Sequence, residues 1–171
     1  FGKALLRFAE KDSRVVGIAS SHGFCTVSVT KYLMNREIGF GRRLLQIFEE
    51  ESLSFEHAPS GIASMSVILR SDDLTPERER HVLARIRDEL DVEDTEVERG
   101  LALLMIVGEG MRYSVGMAAR ITGALAEADV NIEMMNQGSS EISIMFGVKE
   151  TDCDRAVCSL YRALFADGDA S

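Results

Sequence analysis

Cys25–Thr30 reads CTVSVT, in which apolar and hydroxyl side chains alternate as they do in a half-buried β-strand. Ala102–Val107, 77 positions later, reads ALLMIV, and the same spacing places Ser54–Glu56 on Asn131–Glu133. Further identical pairs at this spacing are Met34/Met111, Gly39/Gly116, Arg43/Arg120, Glu50/Glu127, Gly61/Gly138, Ser66/Ser143, Arg78/Arg155, Leu83/Leu160 and Arg85/Arg162. The repeat predicts two copies of one small domain.

Each copy shows the same order of predicted elements. A helix after the first glycine-bearing loop is indicated by apolar residues at helical spacing, and a second helix by Thr75 as a cap with Pro76 at its first position. The predicted elements of the first copy are strand Cys25–Thr30, a helix through Leu44, Leu45 and Phe48, strands Ser54–Ala58 and Ser64–Leu69, a helix through Val82, Leu83, Ile86 and Leu90, and strand Thr95–Arg99. The order β-α-β-β-α-β predicts an α+β fold of the ferredoxin-like type.

The second copy lacks a fourth strand of its own. Its predicted elements are a strand from Leu101, a helix around Ile121 and Leu125, strands Asn131–Met135 and Glu141–Val148, and helix Cys153–Phe165. Only Ala166–Ser171 follow, whereas an unused strand, Arg14–Ser20, precedes the first copy. We therefore expect the N-terminal strand to complete the second unit. The expected boundaries are a connector over 1–13, with Phe1–Lys11 compatible with a helix, a first unit over 22–99, and a second unit of 14–21 plus 100–171.

Composition excludes several classes of protein. The chain has 171 residues, 46% of them hydrophobic, and a net charge of −9, which disfavours nucleic-acid binding. No apolar run is long enough for a membrane span, and no signal peptide is visible. Three cysteines without a C-x-x-C spacing indicate reduced thiols and a cytoplasmic protein. The first residue, Phe1, suggests a piece of a longer protein.

The sequence shows no catalytic or metal-binding constellation. Gly39–Leu44, reading GFGRRL, lacks the third glycine of a dinucleotide-binding fingerprint. His22, His57 and His81 are far apart and have neither metal-ligand spacing nor a partnered nucleophile, so we interpret them as surface or turn residues. We expect no catalytic residue, metal or cofactor in this chain.

Two glycine-bearing loops, each opening a helix, suggest ligand binding. Free amides at a helix start favour a carboxylate, and glycine allows close approach of a ligand to the backbone. Glu56 and Glu133, on the strands beside these loops, could receive an ammonium group. The pattern fits a zwitterionic amino acid, although glycine before a helix is also ordinary capping.

Several stretches resemble the tandem ACT domains at the C-terminus of aspartate kinases. They are Lys31–Gly41, reading KYLMNREIGFG; Ser54–Gly61, reading SFEHAPSG; Val115–Ile121, reading VGMAARI; and above all Asn131–Ile144, reading NIEMMNQGSSEISI. The resemblance covers about Val15 to Phe165. It implies two βαββαβ ACT units, one inserted within the other, and feedback inhibition by lysine, threonine or both in the pathway from aspartate.

The resemblance extends to the regulatory portion only. The family's ATP- and magnesium-dependent kinase domain, which phosphorylates the side-chain carboxylate of aspartate, has no counterpart here, so the chain is expected to be a cut fragment or a separate small subunit. By resemblance, the unit pairs with a second copy in a homodimer, with effectors at the seam. A free-standing amino-acid sensor and a dimerisation module without a kinase partner remain alternatives.

The resemblance also implies effector-binding residues, carried over position by position. In the first unit they are Met34, Gly39, Phe40, Gly41, Ser54, Phe55, Glu56 and Ser60. In the second unit they are Met111, Val115, Gly116, Asn131, Ile132, Glu133 and Gln137. Some lysine-sensitive members carry an Asp where this chain has Glu56, which leaves the choice of ligand open.

Overall fold

A computed structural model describes Val15 and residues 17–140 and 142–166. This part of the chain divides into two compact units, one of Gly23–Leu101 and one of the residues up to His22 together with those from Ala102 onward. The predicted connector over 1–13, with its helix-compatible segment Phe1–Lys11, and the last five residues of the chain lie outside the described residues.

The unit Gly23–Leu101 contains two helices beside three strands. Its sheet has the strand order β2-β1-β3, and β1 pairs antiparallel with β2, with Val27 opposite Val67. The elements that contribute to it are β1 (Gly17–Thr30), α1 (Phe40–Glu50), β2 (Ser64–Arg70), α2 (Pro76–Leu90) and β3 (Asp94–Val107).

Local sequence signals account for both helices of this unit. The Thr75 hydroxyl accepts a hydrogen bond from the Arg78 amide, and Pro76 occupies the first turn of α2, where its missing N–H costs nothing. The buried residues of the two helices repeat at intervals of three and four, as an amphipathic helix against a sheet requires. They are Phe40, Leu44, Ile47 and Phe48 in α1 and Val82, Ile86 and Leu90 in α2.

The other unit repeats this plan, with the strand order β1-β3-β5-β4. Its further elements are α3 (Met117–Glu127), β4 (Met134–Gln137), β5 (Ser143–Lys149), α4 (Cys153–Tyr161) and a π-helical turn (Arg162–Ala166). The fully buried Val15 belongs to the same core cluster as Ile121 and Phe146, and Ile18 packs against that cluster. The N-terminal strand therefore completes the second unit, and the expected α+β, ferredoxin-like fold class is confirmed.

Two strands are longer than expected. The predicted strands Arg14–Ser20 and Cys25–Thr30 are parts of one strand, β1, and Thr95–Arg99 continues into Leu101–Val107 as β3. Gly23 and Gly100, themselves 77 positions apart, adopt φ values of +85° and +77° within these strands. A left-handed conformation there changes the course of the backbone without ending the strand, which is accessible to glycine at little cost.

The predicted strand Ser54–Ala58 is wrong as a regular strand. The segment makes only isolated bridges to β2, at His57–Ile68 and Ser60–Met65. The amides of Glu56 and His57 both donate to the Ile68 carbonyl, so two residues face one and the ladder is bulged. Pro59 has no N–H to donate and contributes only its carbonyl, which accepts from the Ser66 amide at 2.9 Å.

Smaller differences affect the ends of other elements. The predicted strand Asn131–Met135 is shifted, because β4 begins only at Met134, and α4 gives way to the π-helical turn before Phe165. Strand β4 pairs antiparallel with β5, with Met135 opposite Phe146. Within the described part of the chain, every helix is too short or too polar to cross a membrane.

Candidate functional site

Both glycine loops produce an uncapped helix start, as the repeat predicted. Gly39 before α1 and Gly116 before α3 have φ values of +80° and +87°, and neither helix start has a side-chain capping hydrogen bond. No heavy atom lies within 4 Å of the position a Cβ would occupy at either glycine. The Phe40 and Met117 amides donate to the Glu37 and Ser114 carbonyls, at 3.2 and 3.5 Å. Within the described part of the chain, the amides at the second and third positions of each helix have no such partner, the arrangement that binds carboxylates.

In the first unit, the loop before α1 is hydrogen-bonded to the turn that precedes β2. The Lys31 amide donates to the Ala63 carbonyl at 2.8 Å, and the Asn35 amide donates to the Ile62 carbonyl at 3.1 Å. Within the predicted set, Met34 and Phe40 are buried in the core of this unit. Their side chains anchor the loop to this core and expose little surface to a ligand.

In the segment after α1, Phe55 and Glu56 have contacts with other parts of the unit. Phe55 lines a separate cleft of about 740 Å³ along the outer face of α1, together with Arg42, Leu45, Gln46, Glu49 and Glu50. The Glu56 carboxylate lies 3.8 Å from the Arg70 guanidinium, and Ser54 and Ser60 are exposed. Gly41 lies under the Met65 side chain, whose sulfur is 3.6 Å from a Cβ built there.

Sequence reasoning missed a charged cluster in the same loop, formed by Lys31, Glu37 and Arg43. The Glu37 carboxylate lies 3.0 Å from Lys31 Nζ and also accepts a hydrogen bond from Arg43. Lys31 donates in addition to the Leu90 carbonyl at the end of α2. The hydrogen bond from Lys31 is the main cause that lowers the pKa of Glu37. Desolvation opposes this effect, and the hydrogen bond from Arg43 adds to the lowering.

The second unit holds the better-formed site. A cleft of about 580 Å³ opens between the start of α3 and the end of β4, within the size range of small-molecule sites. It brings together three predicted residues, Met111, Gly116 and Gln137. The other lining residues are Ser114, Met117, Ala118, Ala119, Gly138 and Ser139, none of them charged.

The remaining predicted residues of this unit do not line that cleft. Val115 is fully exposed, at 102%, beside the helix start. Asn131 and Glu133 pair with each other, the amide nitrogen lying 2.8 Å from the carboxylate, and Ile132 packs against the core. Their side chains precede β4, whereas Gln137 at its end reaches the cleft.

The sequence analysis did not identify Ser114 and Ser139 as residues of the cleft, although the sequence around them weakly indicates loops. Both stand within two residues of a glycine in the repeat, Gly116 and Gly138, and small hydroxyl residues near glycines commonly mark turns. Turn composition alone does not distinguish a binding loop from an ordinary loop. Only the folded structure shows that the loop before α3 and the loop after β4 lie together and form the cleft.

The histidines take no part in either helix start. His57 is half-buried rather than on the surface, and this burial lowers its pKa. His81 lies 3.1 Å from Glu51 in the ionic network that links α1 and α2. His22 is exposed.

A family model described as ACT domain matches residues 104–164, which include every residue lining the second-unit cleft. Aspartokinase 3 of Bacillus subtilis is 57% identical over 152 residues, covering 89% of this chain and 34% of that protein. The chain thus spans about a third of the length of this relative and a smaller share of other curated relatives that it matches.

Two solved structures share the fold. The crystal structure of Clostridium acetobutylicum aspartate kinase, described as an allosteric enzyme, matches with a TM-score of 0.83 and 36% identity over 90% of this chain and 36% of that one. Escherichia coli aspartokinase III in complex with lysine and aspartate matches with a TM-score of 0.72 over 91% of this chain and 34% of that one. At 22% identity, the latter is a likeness of fold.

Proposed function

Given that this chain belongs to the tandem ACT-domain regulatory regions of the aspartokinases, we propose that it binds a free amino acid, lysine or threonine or both, and transmits feedback inhibition to a kinase. The observation that carries the proposal is the cleft at the uncapped start of α3. It combines the helix amides, a glycine and convergent small polar side chains in one concave space.

The ligand's two charged groups have different receptors in this proposal. The α-carboxylate is held by the Ala118 and Ala119 amides at the start of α3, where the helix dipole favours negative charge. The α-ammonium is received by uncharged oxygens, from Gln137, Ser114 and Ser139. This replaces Glu133 in that role, since its carboxylate already accepts the Asn131 amide outside the cleft.

The first unit offers a second helix start of the same kind, after Gly39. Glu56 remains our proposed ammonium receptor there; with Arg70 3.8 Å away, it would exchange that partner for the ligand. Glu56→Ala is then expected to weaken binding at this site by about 1.5–3 kcal/mol, the range for a charge-assisted hydrogen bond.

The activity under control is proposed from the relatives, which are aspartokinases. In this proposal ATP and magnesium bind in the kinase portion of the parent protein, and the regulatory region acts as a homodimer. Effector binding inhibits only to the extent that the effector prefers the inhibited state over the active one.

Isothermal titration calorimetry of this chain with L-lysine and L-threonine, singly and together, tests the proposal. We expect saturable binding, and about tenfold weaker binding at the second-unit site in Gln137→Ala, because one direct hydrogen bond is lost. The neighbouring Asn136→Ala is the matched control, since Asn136 lies on the same exposed strand but outside the cleft.

Absence of binding for both ligands at millimolar concentration would refute the proposed function. Equal weakening in Gln137→Ala and Asn136→Ala would remove the cleft from the site, because only one of the two residues lines it.

A further inference from the structure

We infer that Glu37 is a positioning residue, which holds the effector loop of the first unit in shape by clamping Lys31 and Arg43 without touching the effector. This inference rests on the proposed function, since it assigns a role at the same helix start. The loop in question runs from Lys31 to Gly39 and leads into α1.

The charged cluster joins three elements of the unit. Lys31 follows the end of β1, Arg43 lies in α1, and the Lys31 ammonium also reaches the last residue of α2 through the Leu90 carbonyl. Glu37 connects these partners from the middle of the loop. On the other side of the loop, the Tyr32 amide donates to the Glu93 carboxylate, just before β3.

Packing alone does not hold this loop. Met34 is its one buried residue, whereas Ile38 is 98% exposed and Leu33 adopts a left-handed conformation with φ of +57°. A non-glycine residue in that region is held there at a cost in backbone energy. Besides the backbone hydrogen bonds to Ile62 and Ala63, the ionic clamp supplies restraint that apolar burial supplies elsewhere in the unit.

The side chains of the cluster are sheltered enough for the clamp to be effective. Lys31 is 15% exposed and Glu37 is 30% exposed, and each has more than one partner. Isolated ion pairs on open surfaces contribute little, whereas networks of partly buried charges with fixed geometry hold their elements in place.

The repeat supplies a natural comparison. Gly108 and Ser114 occupy the positions of Lys31 and Glu37 in the second unit, so no such clamp can form there. The cation in α3 equivalent to Arg43, Arg120, instead donates to the Ala163 carbonyl near the end of the helical segment after α4. The clamp is thus a feature of the first unit that the shared fold does not require.

The test compares Glu37→Gln with wild type in calorimetric titrations with L-lysine and L-threonine, with hydrogen exchange locating each ligand's protection to residues 31–44 or 108–121. We expect Glu37→Gln to weaken binding at the first unit about tenfold and to speed amide exchange over residues 32–38 without ligand. Thermal stability and binding at the second unit should stay unchanged, which separates positioning from a general structural role.

Two further variants sharpen the result. Glu37→Asp keeps the charge and should recover part of the affinity. Lys31→Met combined with Glu37→Gln should weaken binding by less than the sum of the two single changes, because both remove the contact between Lys31 and Glu37. If wild type binds and Glu37→Gln binds equally well or better, the inference is overturned. If wild type binds neither ligand, the proposed function itself has failed.

Discussion

Val15→Ala tests how the N-terminal strand completes the second unit. Val15 is 0% exposed and belongs to the core cluster that contains Leu104, Ile121 and Phe146. The change removes two methyl groups, each worth about 0.8 kcal/mol in lost burial, and leaves a small cavity. We therefore expect a loss of about 2 kcal/mol in the free energy of unfolding of the second unit.

Urea denaturation gives the overall change, and hydrogen exchange read peptide by peptide gives its location. Val115→Ala is the matched control, because Val115 is fully exposed in the same unit and should change stability by less than about 0.5 kcal/mol. Faster exchange confined to residues 102–166 is expected. Faster exchange confined to residues 23–101, or a loss no larger than in the control, would contradict the assignment of the strand to the second unit.

Two further predictions concern backbone conformation and thiol chemistry. Gly116→Ala should lower the free energy of unfolding by about 1 kcal/mol, because the φ angle of Gly116 is +87°. Gly123 lies inside α3 with open space around its Cβ position, so Gly123→Ala should raise the free energy of unfolding by about 0.5–1 kcal/mol. Thermal unfolding of both variants tests this, and a loss of stability in both would contradict the conformational argument. Burial raises the pKa of Cys25 and Cys153 above that of an ordinary thiol, so native alkylation at pH 8 followed by mass spectrometry should modify the exposed Cys158 first. Equal labelling of all three cysteines would count against this. Because these two thiols have a higher pKa when folded, their contribution to stability is complete below the ordinary thiol pKa and is lost as pH rises through the raised pKa of the folded state.

The sequence predicted most of the candidate site's backbone and fewer of its side chains. Gly39 and Gly116 open helices as expected, and Met111 and Gln137 meet at one cleft. The sequence did not predict that Glu133 pairs locally with Asn131 before β4 begins. Which way a side chain turns at the end of a strand depends on where pairing starts, and composition does not fix that point.

The charged cluster of Lys31, Glu37 and Arg43 is another feature that the sequence did not predict. Nothing in the spacing of Lys31, Glu37 and Arg43 marks them as partners, since charged residues in a loop usually face solvent. Their association depends on how the loop folds back over the start of α1, and one of their contacts, Lys31 with the Leu90 carbonyl, spans 59 positions.

By itself the sequence determined the duplicated plan, the helix of Thr75 and Pro76, and the need for a strand borrowed from the N-terminus. These signals are carried by repeat spacing, capping and apolar periodicity, all of which are local or countable. Tertiary structure alone decided that β1 and β3 run unbroken through Gly23 and Gly100, that the segment after α1 pairs only at isolated bridges, and which side chains line the cleft. Those outcomes follow from hydrogen bonds and packing between residues far apart in the chain, whose geometry no local pattern encodes.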